Sequence, residues 1–327
     1  MHNLRFTEIM ERILITGAAG QLGSELTRTL ADIYGGEQVV ATDINAKSAH
    51  KFDYCQFRTL DVMDKEAIAS MVETEKITQV YHLAAMLSAT SEKNPLMAWK
   101  LNIDSLLSIL ELARTSGLNK IYWPSSIAVF GPNTPAVNTP QDCIMDPNTV
   151  YGISKLAGER WCQYYFEKYG VDVRSIRYPG LIGYKSLPGG GTTDYAVEIF
   201  HKALADEHFE CFLEEDTSLP MMYMEDAIQA TIQLMQAPAS QVTVRSSYNL
   251  GGISFTPDDL YQAIKVHHPN LSISYHPDFR QKIADTWPDS IDDSIAQKDW
   301  GWKHKFDLET MTKEILANLP AQLAHFK

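Results

Sequence analysis

Residues 12–16, RILIT, run straight into Gly17-Ala18-Ala19-Gly20-Gln21-Leu22-Gly23, and a helical pattern follows immediately. A short β-rich run, a glycine-punctuated turn and a helix start make the first half of a βαβ unit. The alternation then repeats. QVVATD (38–43), FRTLD (57–61), QVYHLA (79–84), KIYWPSS (120–126) and VDVRSIRY (171–178) are further candidate strands, with helical segments near 21–34, 64–74, 94–116 and 148–169 between them. Strands that alternate with helices in this way favour a parallel sheet covered on both faces. After residue 180 the pattern loosens, and Pro and Gly recur at 188–191, 220, 251–252, 257, 277 and 288. Thr256-Pro257-Asp258-Asp259 reads as a helix start, with a Thr cap, Pro in the first turn and carboxylates beside the helix dipole.

The predicted fold is therefore α/β: a doubly wound parallel Rossmann sheet with a smaller C-terminal α/β lobe for substrate. Residues 1–180 form the nucleotide-binding part and 181–327 mainly the lobe, with the chain crossing back around 220–250. A turn of this kind places a pyrophosphate at a helix N-terminus, so Gly17, Gly20, Gln21, Leu22 and Gly23 are candidate cofactor contacts. The next strand ends in Asp43, followed by Ile44, about 20 residues beyond the glycines. A carboxylate there accepts from an adenosine ribose and repels a 2′-phosphate, which favours NAD over NADP.

Composition narrows the partners. The 327 residues carry a net charge of −13, which argues against nucleic acid and against an acidic membrane surface, since both need a basic patch. Cys55, Cys143, Cys162 and Cys211 are dispersed, with no metal-ligand spacing and no disulfide framework. No stretch suits a membrane span, and the N-terminus lacks an apolar leader core, so the expectation is a cytoplasmic protein binding a small molecule.

The chemistry-bearing pair is Tyr151 and Lys155 in TVYGISK, one helical turn apart and hence on one face. A phenol near pKa 10 is a poor base at neutral pH, but a neighbouring ammonium favours its phenolate, which then takes a proton from an alcohol. On an ordinary amphipathic helix, YxxxK is only a solvated face. The GxxGxxG spacing, this pair and their order resemble the extended branch of the short-chain dehydrogenase/reductase superfamily. The resemblance implies that Asp61 and Val62 hold the adenine, and that Leu83, Ala84 and Ala85 line the cofactor. It also makes Asn102 the structural asparagine, counted here with the cofactor residues, and Ser126 the hydroxyl that orients the reacting oxygen. Ser125 is a neighbour that either faces the nicotinamide or satisfies local backbone. Lys155 also holds the nicotinamide ribose.

Sugar-nucleotide epimerases and dehydratases share all of this, so the second half must discriminate. RYPGLI (177–182), which brings Leu181 to the cofactor, LPGGGTTDY (187–195), LPMMYM (219–224) and WPDSIDD (287–293) closely resemble the short-chain type of L-threonine 3-dehydrogenase, from residue 12 to about 310. That family oxidises the threonine C3 hydroxyl with NAD, using Tyr151 as base, Lys155 to lower its pKa and Ser126 to orient the oxygen. The resemblance implies L-threonine as substrate, with Ser88 and Thr192 contacting it. Asp194 reads equally as acceptor for the substrate ammonium or as a helix cap, and Trp287 as a lid contact or as lobe packing. The second glycine run is then a place where backbone approaches a very small substrate. A sugar-nucleotide site needs cations for its diphosphate, whereas only Arg245 and Arg280 follow Arg177. A non-catalytic NAD-binding regulator is the other alternative, and it has no need of Ser126, Tyr151 and Lys155 together. No metal is expected, unlike in the zinc-containing class. The resemblance further implies a homodimer through helices 94–116 and 148–169.

Overall fold

The computed structural model describes residues 11–189, 191–205 and 207–323; the ten residues that open the chain lie outside these. Strands β1 (Ile13–Thr16), β2 (Val39–Asp43), β3 (Gln56–Thr59), β4 (Gln79–His82) and β5 (Lys120–Tyr122) pair in parallel. Their order in the sheet is β3, β2, β1, β4, β5. β1 and β2 are near-continuous apolar runs because the sheet is covered on both faces: Ile13, Leu14, Ile15, Val39, Val40 and Ala41 are all wholly buried. Register sets Leu14 beside Val40 on one side and Val80 on the other. The chain turns outward in opposite directions from β1 and β4, which makes their carboxyl ends a switch point where ligands enter such sheets.

Two predicted strands are divided. KIYWPSS becomes β5 and β6 (Ser125–Ser126), and VDVRSIRY becomes β7 (Val173–Arg174) and β8 (Ile176–Tyr178). Pro124 brings no N–H to a ladder, so pairing lapses there and resumes with Ser125 beside Arg177. Tyr248–Asn249 extends the sheet along β8. FRTLD stops early too: β3 ends at Thr59, leaving Leu60 and Asp61 in the following turn.

The predicted helices form at Gln21–Tyr34, Lys65–Thr74 and Val150–Tyr169. Thr149 accepts from the Gly152 N–H and caps the last of these, a contact worth about 1 kcal/mol. Segment 94–116 is a helix in three parts, Pro95–Trp99, a π turn at Lys100–Asp104 and Ser105–Ser116. Thr256 and Asp259 make a reciprocal capping box.

A second core gathers Tyr195, Phe200, Phe209, Leu260, Ile264 and Met311. It packs beneath a three-stranded sheet of Gly180–Ile182, Leu219–Tyr223 and Ile253–Phe255. Helix Met224–Gln236 returns to the large sheet, where Ala227 and Leu234 join Ile13, Tyr122 and Tyr248. Among the described residues, no helix is long and apolar enough to cross a membrane.

Candidate functional site

A cleft of about 560 Å³ opens at the carboxyl ends of β1 and β4 and runs toward the second core. Its cofactor end is built by close backbone packing. Gly17 adopts φ +69, and a Cβ there would stand 2.7 Å from the Ala84 nitrogen. A Cβ on Gly23 would stand 2.4 Å from the Gly17 carbonyl oxygen, so the helix approaches the strand only without one. Gly20 caps that helix with no side-chain hydrogen bond, and Gln21, Leu22 and Gly23 line the cleft beside the open helix N-terminus. A phosphate-sized anion fits this cradle.

Asp43 and Ile44 form the next wall. One oxygen of Asp43 accepts from the Ala19 N–H at 3.1 Å and the other from the Asn45 N–H at 3.0 Å. The carboxylate thus braces the glycine turn, and its remaining lone pairs suit ribose hydroxyls. Asp61 accepts from the Met63 N–H at 2.9 Å, which turns the chain so that Asp61 and Val62 face the same cleft. Leu83, Ala84, Ala85 and Leu181 line it further along. These groups fit NAD: donors for a pyrophosphate, a carboxylate at the ribose, and an apolar slot.

Asn102 does not line the cleft. It sits in the π turn, where Oδ1 accepts from the Met86 N–H at 2.8 Å and Nδ2 donates to the Met86 carbonyl at 3.2 Å and to Ser154 Oγ at 3.2 Å. A side chain that uses both ends of its amide on one loop residue holds the wall from behind. Leu101 and Met97 reach the cleft from the same helix, as do Pro179 and Thr193 from two quoted motifs; the sequence reading assigned none of the four a role. The signal available was local: Met97 and Leu101 are four apart, on one helical face.

Ser126, Tyr151 and Lys155 come together at the far end. Burial pushes the Tyr151 phenol up to about 12, and the neighbouring Ser126 hydroxyl pulls the other way. Burial pushes Lys155 down to about 7, against the pull of Cys162 and Glu159. Its Nζ donates to the Pro124 carbonyl at 2.6 Å and lies 4.4 Å from the Trp123 ring centre and 5.6 Å from that of Tyr151. Lys155 is 2% exposed, so no bulk water screens its charge from the phenol. The Ser126 hydroxyl accepts weakly from the Ala128 N–H at 3.2 Å, which keeps its own proton free to donate into the cleft. Ser125 also lines the wall, yet its hydroxyl turns away and donates to Glu159 at 2.6 Å.

Ser88, Thr192, Asp194 and Trp287 close the other side. Thr192 is 2% exposed, and its hydroxyl has no hydrogen-bond partner among the described residues. Asp194 stands at the N-cap of Tyr195–Leu204, but its carboxylate makes no capping bond to that helix; one oxygen accepts from the Gly191 N–H at 2.8 Å and draws the loop in. Trp287 packs against both the second core and the Ile127, Val129 and Phe130 cluster below Ser126. Lys155 is the one Lys or Arg among the described residues that line the cleft. No three His, Cys, Asp or Glu side chains among the described residues gather to hold a metal ion.

The model of the NAD dependent epimerase/dehydratase family matches residues 13–251. An uncharacterized epimerase/dehydratase of Staphylococcus haemolyticus is 48% identical over 94% of this chain and 97% of its own. Among solved structures, a GalE-like L-threonine dehydrogenase of Cupriavidus necator in its holo form is 56% identical, with a TM-score of 0.92 over 94% of this chain and 99% of that one. A monomeric L-threonine 3-dehydrogenase from a metagenome is 46% identical, with a TM-score of 0.91 over 94% and 99%. With the glycine cradle, the Asp43 wall and the Ser126, Tyr151 and Lys155 group in one cleft, the chain belongs to the NAD dependent epimerase/dehydratase family and is an enzyme that uses NAD.

Proposed function

We propose that this enzyme oxidises L-threonine at C3 to L-2-amino-3-oxobutanoate. The observation that carries the reading is a substrate end poor in cations and supplied with a buried hydroxyl, Thr192, that has no partner among the described residues. A zwitterion needs only donors for one carboxylate and an acceptor for one ammonium, and Thr192, Ser88 and Asp194 supply those. A UDP-sugar carries two phosphate charges, and its site calls for arginine or lysine side chains that this wall does not present. The solved relatives named as threonine dehydrogenases add support.

NAD, when bound, supplies the hydride acceptor. Tyr151 takes the proton of the C3 hydroxyl, Ser126 donates to that oxygen and fixes its direction, and Lys155 favours the phenolate. The dry surroundings of Tyr151 raise its pKa and the Ser126 hydroxyl opposes this; in this reading a charged Lys155, one turn away, supplies the further stabilisation of the phenolate. Tyr151→Phe removes the proton acceptor and nothing from the cradle. We expect it to lower kcat by about 10³-fold or more while NAD still binds.

Initial rates of NADH formation across L-threonine, L-serine and several UDP-hexoses test the reading. Turnover of L-threonine is the expected result. Turnover or tight binding of a UDP-hexose with no threonine activity overturns it, and NAD binding without turnover of any of them favours a regulatory protein.

The same reading places the enzyme in the cytoplasm as a homodimer. Leu96 (85% exposed) and Met97 (64%) on one predicted interface helix, with Ile153, Trp161 and Tyr164 exposed on the other, support the dimer. Light scattering on the purified protein decides between that and the monomer of the metagenome relative.

A further inference from the structure

Behind the reacting groups lies a buried ion pair that the chemistry above does not use. Glu159 is 0% exposed and one helical turn beyond Lys155. Its Oε1 accepts from the Ser125 hydroxyl at 2.6 Å and from Arg177 Nε at 2.9 Å, and its Oε2 accepts from the Arg177 terminal nitrogen at 2.8 Å. Arg177, 1% exposed, also donates to the Gln141 carbonyl at 3.0 Å and to Asn249 Oδ1 at 2.9 Å. Each of the three Arg177 nitrogens has a partner, yet an ion pair this deep rarely stabilises more than well-packed apolar side chains of the same volume. Fold stability alone does not account for it.

Two contacts give it another use. Ser125 is the chain neighbour of Ser126, so the carboxylate pins the strand end that carries the reacting hydroxyl. Glu159 also stands beside Lys155, and its charge favours the ammonium. The other titratable groups facing Lys155 are Tyr151 and Cys162 on its own helix and His82 on β4. Burial holds the Cys162 thiol well above its ordinary range and His82 down at about 3, so both are neutral near pH 7. Trp123 and the Pro124 carbonyl contribute no charge. The charge behind Lys155 is therefore that of Glu159, balanced by Arg177.

We propose that Glu159 is a positioning residue for the alcohol oxidation, aligning Ser126 through Ser125 and, with Arg177, setting the charge state of Lys155. The inference rests on the dehydrogenase reading for its kinetic test, and a substrate-free titration separates the two.

In Glu159→Gln the Arg177 charge is left unbalanced, which disfavours the ammonium of Lys155. The Lys155 titration, followed by NMR on isotope-labelled lysine without substrate, moves to lower pH by about one unit. The falling limb of kcat/KM, where the ammonium is lost, moves with it, and kcat falls about 10-fold because the phenolate loses its cation. Arg177→Gln leaves the carboxylate unbalanced and moves both to higher pH, so either variant suffices if the other does not fold. Glu159→Asp keeps the charge and restores the wild-type limb. Ser125→Ala buries no new charge and tests alignment alone: kcat falls several-fold, about 3- to 10-fold, with KM and the limb unchanged. A Lys155 titration unmoved in a folded Glu159→Gln or Arg177→Gln protein overturns the electrostatic part, and an unchanged kcat in Ser125→Ala overturns the alignment. Failure of the threonine reading shows separately, as a wild type that makes no NADH from threonine while the NMR shift persists.

Discussion

The molecule has two glycine-rich stretches facing one cleft, and they are built in opposite ways. At Gly17 and Gly23 an added Cβ would meet backbone atoms at 2.7 and 2.4 Å, and neither strand nor helix can yield. At Gly189 and Gly191 the nearest described atom it would meet is an oxygen of the Asp194 side chain, at 4.0 and 3.1 Å, and not backbone. The first stretch is a rigid turn, and the proposed reading makes it the cradle for NAD. The second is a loop drawn in by a hydrogen bond, at the end that the proposed reading gives to the substrate. Glycine content alone marks both; what surrounds the missing Cβ separates them.

That difference also marks what was readable from sequence. The cradle, Asp43 and the Tyr151 and Lys155 spacing are local patterns whose chemistry follows from a strand, a turn and a helix, and the structure places them in one cleft. The strands divide at Pro124 and Ser175 inside two β-rich runs: Pro124 marks the first break by its missing N–H, whereas a lone serine gives little sign of the second. Asn102 was placed with the cofactor, but its amide is spent on the loop at Met86, a partner 16 residues away that periodicity does not reveal. The Ser125, Glu159 and Arg177 contacts join three separate elements, so no single window of sequence contains them.

The contrast is broken most severely at the cradle. Gly23→Ala drives a methyl into the Gly17 carbonyl, and the helix must lift from the strand. We expect NAD affinity to fall by about 100-fold or more, consistent with an overpacking cost of about 3 kcal/mol. Fluorescence titration with NAD measures it, and an affinity within about 3-fold of wild type means the cradle yields after all.

Asp43→Ala leaves the glycines in place but removes the brace on Ala19 and the charge that repels a 2′-phosphate. NAD should bind about 10-fold more weakly, and its advantage over NADP should narrow. A cofactor preference that does not change places the ribose elsewhere.

Thr192→Val moves the comparison to the substrate end. The lost hydroxyl should raise KM for L-threonine by about 10-fold with NAD affinity unchanged, the loss expected for one hydrogen bond to a charged group. The same change deletes a buried polar atom that has no partner among the described residues, so the free enzyme should gain about 1 kcal/mol in thermal unfolding. A raised KM without added stability would mean that the hydroxyl is already satisfied.

Gly191→Ala is the mildest change and the most direct test of the second stretch. Its φ lies outside the left-handed region, so alanine meets no backbone strain, and the Asp194 oxygen 3.1 Å from the new Cβ has only to turn by a few tenths of an ångström. The lower entropy of the unfolded chain offsets that adjustment, so stability should change by less than about 0.5 kcal/mol. NAD affinity should be untouched and KM for threonine should rise by only about 2- to 3-fold, as the loop comes slightly less close to its substrate. If Gly191→Ala instead disables the enzyme as Gly23→Ala does, the second glycine stretch is as rigid as the first, and its loop is a preformed wall instead of one that adapts to what it binds.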